Sequence, residues 1–236
     1  RDMPMVDGFS VTAQKLYELL TLGKSLEQFV DGDLKSFDLH YIDWKNPKNN
    51  VFHVTEEFSV VRSGLKEQYR PDIVLFVNGI PLSVIECKRP DIKDPLEQAI
   101  SQQLRNQQDD GIRNLYAVAQ LMMVLTVNEG SYATTGTEAK YWAKWQENYR
   151  TKSQEESETQ TIFKLKNQPL SNELKDAMFS ERFKYVRNHF EQLEKESIQV
   201  TPQDRYLYSL CRPERILELV YNYILFDNGV KKIARY

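Results

Sequence analysis

Asp72, Glu86 and Lys88 are the residues of this 236-residue chain best placed to do chemistry together. They sit at the outer ends of two apolar runs of strand length, 73–77 and 80–85, which meet at Asn78-Gly79. Two acids and a lysine at the ends of such strands have a task to perform. Paired carboxylates hold a divalent cation through hard oxygen ligands, and Mg²⁺ favours few carboxylates, with water and substrate filling its shell. A lysine beside them orients a water or steadies a phosphate. Phosphodiester hydrolysis needs this equipment, because an anionic substrate repels the nucleophile.

The spacing also constrains the geometry. Glu86 and Lys88 are two apart on a strand, so they project from one face. A regular two-residue turn at Asn78-Gly79 pairs Val77 with Ile80 and leaves Asp72 opposite Ile85, on the wrong side. A three-residue loop, Val77-Asn78-Gly79, pairs Phe76 with Ile80 and sets Asp72 opposite Val84 and diagonal to Glu86. The sequence therefore predicts an odd-length loop or an equivalent bulge. The backbone carbonyl of Cys87, between the two functional side chains, is a further expected metal ligand. The competing reading is that Asp72 caps a turn after Pro71, with Glu86 and Lys88 as solvated strand ends. Acid-x-lysine spacing is common enough to keep that reading open.

Composition sets the frame. A hydrophobic content of 41% supports a packed core. The net charge of −3 argues against a free-standing nucleic-acid binder, which carries a basic surface. It leaves room for a nuclease whose DNA affinity resides in other domains or subunits. No apolar run approaches membrane-spanning length, no signal peptide is seen, and a chain opening at Arg1 reads as a fragment. Cys87 and Cys211, the only cysteines, point to a reducing compartment. With no CxxC pair, and His40, His53 and His189 scattered, structural zinc is not expected.

The positioning elements follow from periodicity. Residues 10–30 carry helical spacing interrupted near Gly23, 37–43 and 51–61 read as strands, and 46–50 is a turn cluster. Asp94, Pro95 and Glu97 form a capping-box arrangement for a helix with Leu96, Ala99, Ile100 and Leu104 as its buried stripe. Residues 115–118 and 122–127 read as strands, 132–136 as a loop or edge strand, and 141–145 as an aromatic anchor. Thr151 to Thr161 has no apolar residue and reads as a linker or exposed loop. Beyond it, 171–196 and 202–226 are amphipathic helices. The order predicts an α/β fold with a central mixed sheet flanked by helices and a helical C-terminal extension. The expected division is 1–150 as the site-bearing domain with its core at 51–128, 151–161 as linker, and 162–236 as extension.

Pro71-Asp72 and Glu86-Cys87-Lys88 resemble the PD-(D/E)xK nuclease signature in order and separation. More specifically, the chain is similar to the restriction (R) subunit of type I restriction–modification enzymes. The segments that carry the resemblance are Tyr41 to Asn50, Arg70 to Leu82, Gln102 to Gln107, and Tyr132 to Gly136 with Trp142 and Trp145. Residues 227–236 resemble the junction before that family's ATP-driven translocase, and no GxxxxGK[ST] sequence occurs here.

The resemblance implies a PD-(D/E)xK restriction-endonuclease-like core and a Mg²⁺-dependent endonuclease that cuts foreign, unmethylated double-stranded DNA after translocation. Asp72 and Glu86 would bind metal, Lys88 would assist the attacking water, and Gln102 would support the site. It further implies methyltransferase (M) and specificity (S) subunits and translocase domains as partners, ATP used only by the longer subunit, no membrane, and a bacterial or archaeal cytoplasm. The family often carries Q-x-x-x-Y on the helix after the lysine strand; here Asn106 holds the tyrosine position, and Gln103 rivals Gln102 by helical phase. Lys93, Arg89 and Arg105 lie near enough to touch a DNA backbone. A catalytically silent DNA-binding or subunit-docking module is the alternative reading.

Overall fold

The computed structural model describes residues 5–180, 182 and 184–234. The first helix, α1 (Phe9–Leu22), stops at Gly23, whose φ is 77°. A Cβ there would lie 2.5 Å from the Leu39 carbonyl oxygen. The chain then forms a hairpin, β1 (Lys24–Val30) and β2 (Asp33–Leu39), turning at Asp31-Gly32. Helical spacing had carried the expected helix through to residue 30. The Asp-Gly turn, with φ of 55° and 88°, overrides it, because a two-residue turn with both φ positive matches strand twist. The strand expected at 37–43 begins earlier and ends at Leu39.

Next come β3 (Phe52–Glu56), β4 (Val60–Val61), β5 (Gln68–Tyr69), β6 (Ile73–Val77) and β7 (Ile80–Cys87). The single strand expected over 51–61 is broken at Glu57, which takes a φ of 47°. Its two halves pair with different strands, β3 with β6 and β4 with β5.

Helix α2 (Pro95–Asn106) starts where expected, with Pro95 in its first turn. The capping box does not form: Asp94 is left-handed, and its side chain makes no cap bond. The buried stripe also differs. Ala99, Gln103 and Asn106 are its buried residues, while Leu96, Ile100 and Leu104 are half-buried.

Residues 115–118, expected as a strand, belong to α3 (Arg113–Val118). Leu115, Tyr116 and Ala117 are all buried, and a short run buried all round has no periodicity to tell helix from strand. Strands β8 (Leu121–Leu125) and β9 (Gly130–Ala133) complete the sheet, so 132–136 does supply edge-strand residues.

The sheet order is β3-β6-β7-β8-β9, with β7 and β8 parallel and the other neighbours antiparallel. Strands β8 and β9 pair from Met122–Ala133 to Leu125–Gly130. A parallel β7–β8 pair requires a crossover, and α2 and α3 supply it.

The stretch expected as a linker is instead part of α4 (Lys152–Lys166). Thr151 caps it by accepting the Gln154 amide, and its Lys, Gln and Glu residues are good helix formers that need no buried stripe. Ile162 is its one buried residue. The chain continues through α5 (Asn172–Phe179), α6 (Lys184–Leu193), α7 (Pro202–Cys211) and α8 (Pro213–Tyr223). The helical extension does not run on to the end: β10 (Ile224–Asp227) and β11 (Val230–Ile233) form a hairpin at Asn228-Gly229.

The sheet is packed on both faces. On one, Ile85, Leu121, Met123 and Tyr132 join Leu210, Ile216, Leu217 and Val220 of α7 and α8. On the other, Val74, Val84 and Met122 join Ile112, Leu115 and Tyr116. Trp145 is buried against Tyr132, with ring centroids 5.7 Å apart, so the expected aromatic anchor packs on the edge strand. No helix among the described residues is long and apolar enough to cross a membrane.

Candidate active site

The site is built by the β6–β7 hairpin and covered by α2. Asn78 and Gly79 have φ of 51° and 79°, and Val77 pairs with Ile80 across a two-residue turn. The three-residue loop is therefore not what forms; the equivalent bulge is. Phe76 pairs with Pro81 but Leu75 with Ser83, which leaves Leu82 as the extra residue. Pro81 has no N–H to give to the ladder, and strand prolines concentrate at such irregularities. Beyond the bulge, Val74 pairs with Val84 and Ile73 with Ile85. One further step sets Asp72 across from Glu86 itself, rather than diagonal to it.

The segment at 41–50 holds this turn in place. Asn78 donates to the Tyr41 carbonyl at 2.9 Å and to Asn50 Oδ1 at 2.8 Å, and its own Oδ1 accepts the Val51 amide at 2.7 Å. Asp43 organises the loop beneath, accepting from the Asn49 side chain and from the Lys45 and Asn46 amides. These bonds hold the Asp43 carboxyl below the usual range, with Asn49 contributing most.

All four expected site side chains converge. Asp72 Oδ2 accepts the Cys87 amide at 2.7 Å. Gln102 Nε2 donates to Glu86 Oε2 at 2.8 Å, and Lys88 Nζ donates to Gln102 Oε1 at 2.9 Å. Lys88 Nζ stands 3.7 Å from Glu86 Oε2. Gln102 thus bridges acid and lysine, while Gln103 turns into the core, where it bonds Tyr116 and two strand carbonyls. Asn106 is buried, and its Oδ1 has no hydrogen-bond partner.

Electrostatics single out Glu86. It is 0% exposed, and burial first, then the Asp72 carboxylate, push its pKa up to about 8, against the opposing pull of Lys88 and Gln102. Its Oε1 is buried with no donor to serve it, and a hydrogen bond between the Glu86 and Asp72 carboxyl groups adds to the upward push. A buried carboxyl of this kind is completed either by a proton, which the raised pKa retains, or by a cation that displaces it. Among the described residues, no three His, Cys, Asp or Glu side chains group as a metal cage. The donor set that remains is two carboxylates plus backbone and non-protein oxygens, which fits Mg²⁺ better than zinc. The Cys87 thiol is pushed up to about 11, chiefly by burial, so it is a neutral thiol and a poor ligand.

A concavity of about 630 Å³ opens over the site, where Lys88, Lys93 and Arg105 share the lining with Asp94, Glu97 and Gln102. A second, of about 420 Å³, meets it at Gln102 and Arg105 and adds Tyr69 and Arg70. Arg89 is instead exposed and paired with Asp91. Sequence reading missed Tyr69 and Arg70 as groove residues; Arg70, directly before Pro71-Asp72, was the available signal. It also missed Tyr116, hidden in a run read as a strand.

Two carboxyl groups, a lysine and a glutamine thus meet at the end of β7. Residues 7–150 match the family described as "Type I restriction enzyme R protein N terminus". That span exceeds half of the chain, and the chain belongs to this family. It is 25% identical over 229 residues to the protein named "Putative type I restriction enzyme MjaIXP endonuclease subunit" from Methanocaldococcus jannaschii, covering 97% of this chain and 19% of that protein. It is 35% identical over 80 residues to the type I restriction enzyme HindI endonuclease subunit from Haemophilus influenzae, covering 34% of this chain and 8% of that protein. The aligned part of this chain thus spans under a fifth of either relative's length.

Proposed function

We propose that this chain carries the Mg²⁺-dependent DNA endonuclease centre of a type I restriction enzyme R subunit, built on a PD-(D/E)xK core. The observation that carries the reading is the convergence of Asp72, Lys88 and Gln102 on the buried Glu86 carboxyl group. Asp72, Glu86 and the Cys87 carbonyl would hold the ion, which supplies charge neutralisation at the phosphate and acidity to a bound water. Lys88 donates hydrogen bonds toward the phosphate oxygens as charge grows on them. Gln102 keeps the Lys88 ammonium and the Glu86 carboxylate in register with each other. The water oxygen bonds to phosphorus as the bond to the leaving deoxyribose oxygen breaks. The water gives up one proton and the leaving oxygen takes one, so hydrolysis consumes water alone. Lys93, Arg105 and Arg70 line the groove through which the anionic backbone would pass.

The relatives are far longer than this chain, which supports assigning the rest of the activity to other domains and subunits. An ATP-driven translocase and the methyltransferase and specificity subunits would deliver unmethylated double-stranded DNA to the site, in the cytoplasm. Asp72→Ala and Lys88→Ala in the longer subunit are expected to abolish cleavage, a loss of about 100-fold or more, while ATP hydrolysis continues. Normal cutting by both variants would sink the assignment. Mn²⁺ titration of the 236-residue chain adds a direct check: binding that Asp72→Ala removes supports the centre. No binding at all would favour a silent docking or DNA-binding module.

A further inference from the structure

Beneath the site lies a buried polar set that the proposed chemistry does not use. Gln103 and Tyr116 are both 0% exposed, within the apolar cluster of Val74, Val84, Leu115 and Met122. Burying an amide and a phenol there is costly unless every polar atom is bonded. Gln103 Nε2 donates to the Val84 carbonyl at 3.3 Å and to the Met123 carbonyl at 3.1 Å. Its Oε1 accepts the Tyr116 hydroxyl at 2.7 Å. One side chain on α2 is thereby tied to β7, to β8 and to α3.

The placement of those ties is informative. Val84 is two residues before Glu86 on β7, and Gln103 follows Gln102 on α2. Successive helix residues are about 100° apart around the axis, so fixing Gln103 over the sheet fixes where Gln102 points. Tyr116 comes from a different helix and prevents Gln103 from swinging away. An apolar side chain of similar size would fill the same space without setting this rotation.

We propose that Gln103 and Tyr116 are positioning residues for the metal centre, acting through Gln102 on Glu86 and Lys88. This rests on the metal-site reading above. In this arrangement the hydroxyl of Tyr116 matters to the site even though the ring never meets substrate. Asn106, at the family's tyrosine position, also reaches Tyr116 through a side-chain hydrogen bond.

The test is a double-mutant cycle on Mn²⁺ affinity in the 236-residue chain. Tyr116→Phe keeps the ring and removes the hydroxyl; it is expected to weaken Mn²⁺ binding about tenfold. Gln103→Met, similar in size and without the amide, should do the same and serves if Tyr116→Phe folds poorly. Ile112→Val trims the same apolar cluster without touching the network, and should lower the melting temperature while leaving Mn²⁺ affinity intact. Because the effect travels through Gln102, Tyr116→Phe should cost little further in a Gln102→Ala background. In the metal-free chain, the Gln102 side-chain amide resonance, identified by its loss in Gln102→Ala, should move in Tyr116→Phe and stay put in Ile112→Val. Unchanged affinity and an unmoved Gln102 resonance in Tyr116→Phe, with Asp72→Ala abolishing binding, would overturn the positioning role alone. Undiminished binding in Asp72→Ala would overturn the metal-site reading and this inference with it.

Discussion

The β1–β2 and β6–β7 hairpins begin alike and end differently. Each turns on two residues with positive φ, Asp31-Gly32 in one and Asn78-Gly79 in the other. In β1–β2 the pairing runs unbroken from Val30–Asp33 to Lys24–Leu39, and nearly every residue is exposed. In β6–β7 the register shifts at Leu75–Phe76, and the strands lie at the centre of a five-stranded sheet. The turn decides where pairing starts. The bulge decides which face an acid reaches, and burial decides whether that acid matters. Glu27 and Asp38 on the first hairpin are exposed, whereas Glu86 on the second is inaccessible and carries a raised pKa.

Four experiments press on this contrast. The largest difference is expected in cleavage by the longer subunit. Glu86→Ala should lower it by about 100-fold or more, and Glu27→Ala or Asp38→Ala should leave it unchanged. A cleavage defect from either exposed acid would erase the distinction.

Next in size is packing. Leu82, the bulged residue, is 0% exposed, while Leu34 is 55% exposed. Leu82→Ala should destabilise the fold by about 2–5 kcal/mol in urea unfolding, and Leu34→Ala by less than about 0.5 kcal/mol.

A smaller effect concerns pH. Between the ordinary glutamate value of 4.5 and about 8, the folded metal-free chain keeps a proton on Glu86 that the unfolded chain has released. Raising the pH across that window therefore favours unfolding; the cost is absent below it and complete above it. Glu86→Gln should remove this component, so the variant gains melting temperature over the parent as pH rises from about 5 to about 9. Glu27→Gln should show no such gain.

The smallest contrast is at the turns themselves. Gly32 and Gly79 have φ of 88° and 79°, with open space where a Cβ would go. Alanine at either should cost about 1–2 kcal/mol of conformational strain, and nearly the same at both. A much larger loss at Gly79 would show that its turn does more than start the register.

Much of the site was legible before the fold. The odd number of residues between Asp72 and Glu86 demanded a bulge or an odd loop, and one bulge is present at Leu82. A helix opening at Pro95 and most of the strand read at 122–127 were also legible, although the capping box and the apolar stripe expected of the helix did not form as read. Three segments misled for separate reasons. Helical spacing ran through Gly23 into a hairpin, an apolar run at 115–118 had no period to read, and a stretch without apolar residues at 151–161 formed a capped helix.

By itself, then, the sequence singled out Asp72, Glu86 and Lys88 and the parity their strands must satisfy. Those follow from local covalent spacing and the two-residue repeat of a strand. Only the tertiary structure decided between a loop and a bulge, and between Gln102 and Gln103. It also brought Tyr116 under the site from a helix the sequence did not reveal. These choices depend on which side chains fill one buried space together, and packing across distant segments is not written in any local pattern.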